Sequence, residues 1–237
     1  SVCILALGTE GRGEHILKPG QDNAIILTDE FQREEILVLL KKWHELLCAL
    51  GYPRKDDSAI FSNASWVNTL DGWQRRLQRW QQLPDQDSVM DLSIFMDAQP
   101  ICGDVDLFNQ LNKSLWNRDN QSQVLANIMA TPALRYEMPL TFLGNLRELN
   151  GTIDIRKGGI LPIVQGVRAL AFENGITVTN TLARLDQLQH LQVIKPDYAQ
   201  SIKDTLLLLF RIRLRYQLES SNDRDEGKII KVDMLRS

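Results

Sequence analysis

Leu7-Gly8-Thr9-Glu10-Gly11-Arg12-Gly13-Glu14, followed by Gly20-Gln21-Asp22-Asn23-Ala24-Ile25-Ile26-Leu27, is the stretch on which the fold of this chain turns. Val2–Leu7 ahead of it is a short apolar run that predicts a buried strand, broken at Gly8-Thr9. Asp22–Leu27 reads as a second strand, with Asp22 opening it. The turn between them has the parts that phosphate chemistry needs. Gly8 has no Cβ to keep the backbone away from a ligand, and Gly11 extends the same glycine-rich run. Thr9 offers a hydroxyl and a backbone N–H to phosphate oxygens. Arg12 is a candidate fixed cation for a triphosphate, and Asp22 a hard oxygen ligand for Mg²⁺. No Gly-Lys-Ser/Thr follows, so this is not a Walker A loop, and the G-x-G-x-x-G spacing of a dinucleotide fold is absent.

Outward from this turn, Phe31–Leu50 carries Ile36, Leu39, Leu40, Trp43, Leu46, Leu47 and Leu50 at helical spacing, with Gly51 as its C-cap and Pro53 preventing continuation. Asn63–Gln82 predicts a second helix, whose Trp66, Trp73 and Trp80 share one face and read as a buried stripe. Arg75, Arg76 and Arg79 read as its solvated side, the alternative being that they face a nucleotide tail or an acidic partner. In Ser88–Ala98, Leu92, Ile94 and Met96 alternate with Ser93, Phe95 and Asp97, which predicts a third strand and would bring Asp97 beside Asp22 as a second carboxylate. From Val105 onward the pattern is helical, clearest in Val124–Ala130, Leu161–Glu173, Thr179–Leu191 and Pro196–Glu219, and Ser220–Gly227 reads as a polar loop. The mixed strands and helices of the first half and the helical second half predict an α/β or α+β module over 1–130, then an all-helical domain over 131–237.

The composition excludes several classes. With 237 residues and 43% of them hydrophobic, the chain can bury a substantial core and is not disordered. No apolar run is long enough to span a bilayer. A formal net charge of −3 argues against a dedicated duplex-DNA binder. The start lacks the basic residues and cleavage site of a signal peptide and enters an apolar run directly, which suggests a piece of a longer protein. Cys3, Cys48 and Cys102 are too far apart for a zinc site or a disulfide framework, and read as reduced, mostly core-filling thiols of a cytoplasmic protein. His15, His44 and His190 are isolated and form no metal cluster.

L-G-T-E-G-R-G-E followed by Q-D-N-A-I-I-L resembles the signature of a bacterial nucleotidyltransferase family of the polymerase β superfamily. That family is related to the protein-PII uridylyltransferases and is commonly fused downstream of cyclic-nucleotide-binding and CBS domains. The likeness continues through Ile94-Phe95-Met96-Asp97 with Gly103-Asp104 behind it, Pro162-Ile163-Val164, Arg168-Ala169-Leu170, Asn180-Thr181-x-x-Arg184-Leu185 and Arg213-Leu214-Arg215-Tyr216-Gln217. It implies a polymerase-β-like α+β domain, a small mixed sheet with helices, followed by a helical one, with Gly8 and Thr9 as the phosphate-loop pair. It also implies Asp22 and Asp97 as catalytic metal carboxylates, a nucleoside triphosphate with Mg²⁺, a protein or small acceptor, and regulatory domains upstream.

One departure bears on chemistry. The family's paired carboxylates stand two residues apart so that both point from one face of a strand. Here the first of those positions is Gly20, and Glu10 or Glu14 is the candidate to lend a replacement oxygen. Losing about 4 kcal/mol of transition-state stabilisation with one ligand slows a reaction roughly a thousand-fold. The sequence therefore supports two readings, an enzyme impaired at Gly20 and a catalytically silent nucleotide-binding regulatory module.

Overall fold

In the computed structural model, the residues described are 1–16, 22–31, 33–52, 63–116, 122–135, 152–219 and 229–231. Gly20 and the Ser220–Gly227 stretch lie outside them. Two compact units are present, one of Ser1–Leu125 with Thr177–Asn180, the other of Ala126–Ile176 with Thr181–Ser237.

The first unit is built on a four-stranded mixed sheet. Strand β1 (Val2–Ala6) lies between β2 (Asn23–Leu27) and β4 (Gln99–Gly103), antiparallel to both, and β2 is parallel to β3 (Val67–Thr69). All five residues of β2 are buried, as expected for a strand covered on both faces. Alternation along the strands divides their side chains between two layers. Ile25 and Leu27 join Val67 and Leu40 of helix α2 (Arg33–Ala49), with Ile36, Leu37 and Leu47 packed alongside. Leu39, Trp43, Leu46 and Leu50, part of the same apolar pattern, stay largely exposed, because the apolar arc of α2 is wider than the strip the sheet covers.

The predicted helix over Asn63–Gln82 is three elements. A 3₁₀ turn at Ala64–Trp66 runs into β3, and only then does α3 (Leu70–Gln82) begin, with the Thr69 hydroxyl accepting from Gly72 N–H at 3.2 Å. The tryptophan stripe is buried as expected. Trp66, Trp73 and Trp80 lie 5.9–6.3 Å apart by ring centroid, and Trp73 Nε1 donates to the Ile25 carbonyl at 2.8 Å. Arg76 is not simply solvated, since its guanidinium lies 4.9 Å from the Trp80 ring centroid and 3.5 Å from Asp91.

The strand expected at Ser88–Ala98 is helix α4 (Gln86–Phe95). Val89, Leu92, Ser93 and Met96 are buried at spacings of three and four, and the two-residue alternation of Leu92, Ile94 and Met96 coincides with part of that set. Asp85 caps the helix, accepting from Ser88 N–H at 2.7 Å. The strand itself comes next, as β4, which contains Pro100 and Gly103 and is mostly exposed. Both features suit the sheet edge it occupies. Cys102 on β4 is exposed rather than core-filling, whereas Cys3 is fully buried. Helix α5 (Val105–Leu115), capped by Asp104, then buries Leu107, Phe108, Leu111 and Leu115.

In the second unit, α7 (Leu161–Glu173) and α9 (Pro196–Glu219) match their expected bounds, and α8 spans Thr181–His190. Helix α6 (Ser122–Arg135) contains the division between the units. Pro162 sits in the first turn of α7, and Gly175, in left-handed conformation at φ 69°, turns the chain out of it, with Ile176 N–H donating to the Ala171 carbonyl. Ile160, Val164 and Leu206 form the core between α7 and α9. The unit is not wholly helical. Strands β5 (Thr152–Asp154) and β6 (Ile229–Lys231) pair antiparallel, and their Ile153 and Ile230 pack with Ile155 against Leu209, Ile212 and Tyr216 of α9. Strands of three residues, 77 positions apart, leave no periodic signature. Among the described residues, no helix is long and apolar enough to cross a membrane.

Candidate functional site

The site grows from the end of β1. After Ala6 the chain makes a single helical turn, α1 (Gly8–Gly11), before returning towards β2. Leu7 N–H donates to the Asp22 carbonyl at 2.8 Å, so the entry to the turn and the entry to β2 are held side by side. Gly8 has φ 54°, which disfavours any residue with a side chain, and a Cβ placed on it would stand 3.1 Å from Asp22 Oδ2. The missing Cβ thus lets the Asp22 carboxylate approach the turn closely. Helical geometry gives the N–H groups of Gly8, Thr9 and Glu10 no partner inside so short a turn. Gly8, Thr9 and Asp22 are brought together as the sequence suggests, all half-buried.

Gly11 packs deeper. A Cβ there would meet the Asp97 carbonyl at 2.0 Å and the Ala6 carbonyl at 2.7 Å, so this glycine is required by close backbone approach. Arg12 is buried in turn, its Nε 2.7 Å from Glu14 Oε2 and its Nη1 2.6 Å from Asp97 Oδ2, with Asp97 fully buried. Burial alone would lower the Arg12 pKa, but Asp97 and then Glu14 more than offset it, and the guanidinium is held charged above its ordinary value. The surroundings of two expected site residues therefore differ from those anticipated. Asp97 lies past the end of α4 rather than late in a strand, and its Oδ2 is engaged by Arg12 in the interior. Arg12 has two carboxylates on its guanidinium. The pair joins residues 85 positions apart and fixes the floor of the turn.

Burial is the chief cause raising the Glu10 pKa; nearby, His15 works to lower it and Asp22 to raise it. Glu10, Asp22 and His15 thus share one electrostatic neighbourhood at the turn. The test of fit for a divalent cation rests on the donors beside Gly8. Asp22 offers one half-buried carboxylate there, a hard oxygen donor of the kind divalent cations take, and among the described residues no cluster of three or more His, Cys, Asp or Glu side chains is assembled to hold a metal ion. Two further residues belong here that spacing gave no means of finding. Thr179 Oγ1 donates to the Gly11 carbonyl at 2.8 Å, and Asn180 Nδ2 to the Arg12 carbonyl at 3.0 Å, each across 168 positions.

A helix-covered mixed sheet with a glycine turn at the end of its central hairpin, bordered by a carboxylate, makes the first unit an α+β domain of the kind a nucleotidyltransferase-like module requires. Residues 1–87 match the family described as "Putative nucleotidyltransferase DUF294", and residues 122–237 match the "Putative nucleotidyltransferase substrate binding domain". The chain belongs to this nucleotidyltransferase family, which implies a nucleoside triphosphate substrate and the divalent metal ion that nucleotidyltransferases generally use. None of the curated proteins compared with the chain matches it.

Proposed function

We propose that this chain binds a Mg²⁺-nucleoside triphosphate at the Gly8–Gly11 turn and transfers its nucleoside monophosphate to a protein or small-molecule acceptor, at a rate limited by Gly20. The carrying observation is the Gly8–Asp22 juxtaposition, with a left-handed glycine whose Cβ would crowd the carboxylate of Asp22. On this reading the N–H groups of α1 and the Thr9 hydroxyl hold the phosphate tail, and Asp22 holds the metal. When bound, Mg²⁺ neutralises charge on the triphosphate as pyrophosphate leaves. The acceptor's hydroxyl attacks the α-phosphorus, the bond to pyrophosphate breaks, and the acceptor proton passes to solvent or a nearby base. Asp97 is assigned to the same machinery through Arg12, whose charge it balances and whose position fixes the turn. Upstream regulatory domains and a cytoplasmic setting remain part of the proposal.

A second reading, the silent regulatory module, is favoured by one observation: glycine at position 20 has no carboxylate to offer. Calorimetry with ATP, UTP, GTP and CTP, with and without Mg²⁺, together with an assay for released pyrophosphate, separates the two. Metal-dependent binding with release supports transfer, and binding without release supports the module. Gly20→Asp is expected to tighten Mg²⁺ binding and raise turnover. If it changes neither, the assignment of position 20 fails.

A further inference from the structure

We infer that Thr179 and Asn180 are positioning residues for the glycine turn, a strap that closes the carbonyl end of α1. A one-turn helix exposes carbonyls at its C-terminal end just as it exposes N–H groups at its start. Here the two carbonyls that end the turn, Gly11 and Arg12, each accept from a side chain, Thr179 Oγ1 at 2.8 Å and Asn180 Nδ2 at 3.0 Å. Gln99 Nε2 approaches Thr179 Oγ1 at 3.5 Å from β4 and steadies the hydroxyl that donates to Gly11. Thr177–Asn180 is grouped with the first unit although its neighbours in sequence, Ile176 and Thr181, are grouped with the second.

The strap acts on the opposite end of the turn from the N–H groups. Those groups attract an anion only while the turn stays formed, and four residues cannot sustain a helix on their own hydrogen bonds. The Arg12 ion pairs fix the side-chain floor, whereas Thr179 and Asn180 fix the backbone itself. Removing a strap bond therefore leaves the phosphate donors chemically intact and loosens their arrangement. The consequence for nucleotide rests on the function proposed above; the ordering of the turn does not.

The test compares the whole chain with Asn180→Asp, nearly identical in shape but unable to donate to the Arg12 carbonyl, and with Thr179→Val and Thr179→Ser. Amide hydrogen exchange over residues 8–14, without nucleotide, is expected to speed up about tenfold in Asn180→Asp and Thr179→Val, and to return towards wild type in Thr179→Ser. Affinity for Mg²⁺-ATP, or whichever of the four triphosphates binds best, is expected to fall about tenfold in the same two variants, with a smaller effect in Thr179→Ser. A residue that merely supports the fold would instead lower the unfolding midpoint and speed exchange throughout the unit. Unchanged exchange over 8–14 in both folded variants overturns the strap. A wild-type chain that binds none of the four triphosphates overturns the proposed function, and the exchange comparison still decides the strap. Should Asn180→Asp fail to fold, Thr179→Val carries the same comparison.

Discussion

Asp97 has a guanidinium nitrogen 2.6 Å from its Oδ2 and is fully buried, and Glu14 completes the same ion-paired group through Arg12. Two carboxylates on one buried cation are costly to desolvate, and removing one partner exposes that cost. Asp97→Asn is expected to destabilise the first unit by about 3–5 kcal/mol, measured by urea unfolding followed through tryptophan fluorescence. A carboxylate serving mainly as a metal ligand gives the opposite pattern, weaker Mg²⁺ binding with unfolding unchanged. At this scale the sequence was informative where function depends on backbone. Gly8, Thr9 and Asp22 come together because a strand, a glycine turn and a strand leave them few other places to go. The partnership of Arg12 with Asp97 joins positions 85 apart, and no local pattern encodes which of a buried arginine's acidic neighbours will meet it.

The elements were legible in proportion to their length and to the number of faces they bury. Helices α7 and α9 follow from their own periodicity and caps, whereas β3, β5 and β6 are three-residue strands that exist because a partner strand is present. Helix α4 is the instructive error, since Leu92, Ile94 and Met96 satisfy a period of two while the wider set from Val89 to Met96 satisfies a helix. The discriminating signal lay outside the run, in Asp85 three residues before Ser88, the spacing of an N-cap. The backbone hydrogen bond from Ser88, then that from its side chain, holds the Asp85 carboxyl below the ordinary carboxylate value of 3.8. A carboxylate whose pKa is depressed by folding contributes stability above the unfolded value, and that contribution is lost as pH falls through the folded one. Acidification below about pH 4 is thus expected to fray the start of α4. Asp85→Asn keeps an acceptor at the cap without a titrating group, so hydrogen exchange at Ser88–Met90 should become less sensitive to acid in that variant. Equal acid sensitivity in both proteins would remove Asp85 as the cause.

At the scale of the whole molecule, the first unit is discontinuous in sequence, because Thr177–Asn180 returns to it after residues grouped with the second. This arrangement gives a distinctive way to observe ligand binding. All five tryptophans, Trp43, Trp66, Trp73, Trp80 and Trp116, precede residue 126 and belong to the first unit, while the second contributes much of the helix through α7, α8 and α9. Indole fluorescence consequently follows the unit that carries the glycine turn, and far-ultraviolet circular dichroism follows both. A ligand that binds only the folded state at a hundred times its dissociation constant adds about 2.7 kcal/mol. With Mg²⁺ and the preferred triphosphate at that excess, the fluorescence-detected melting midpoint is expected to rise by several degrees. Because Asn180 donates to the carbonyl that ends the turn, its loss weakens nucleotide binding and so lowers the stabilisation that a given nucleotide concentration supplies. Asn180→Asp should therefore reduce the nucleotide-induced rise in the fluorescence midpoint, at a fixed nucleotide concentration, by more than it lowers the midpoint measured without nucleotide. If none of the four triphosphates moves the tryptophan transition in the wild-type chain, the glycine turn is not a nucleotide site, whatever its shape.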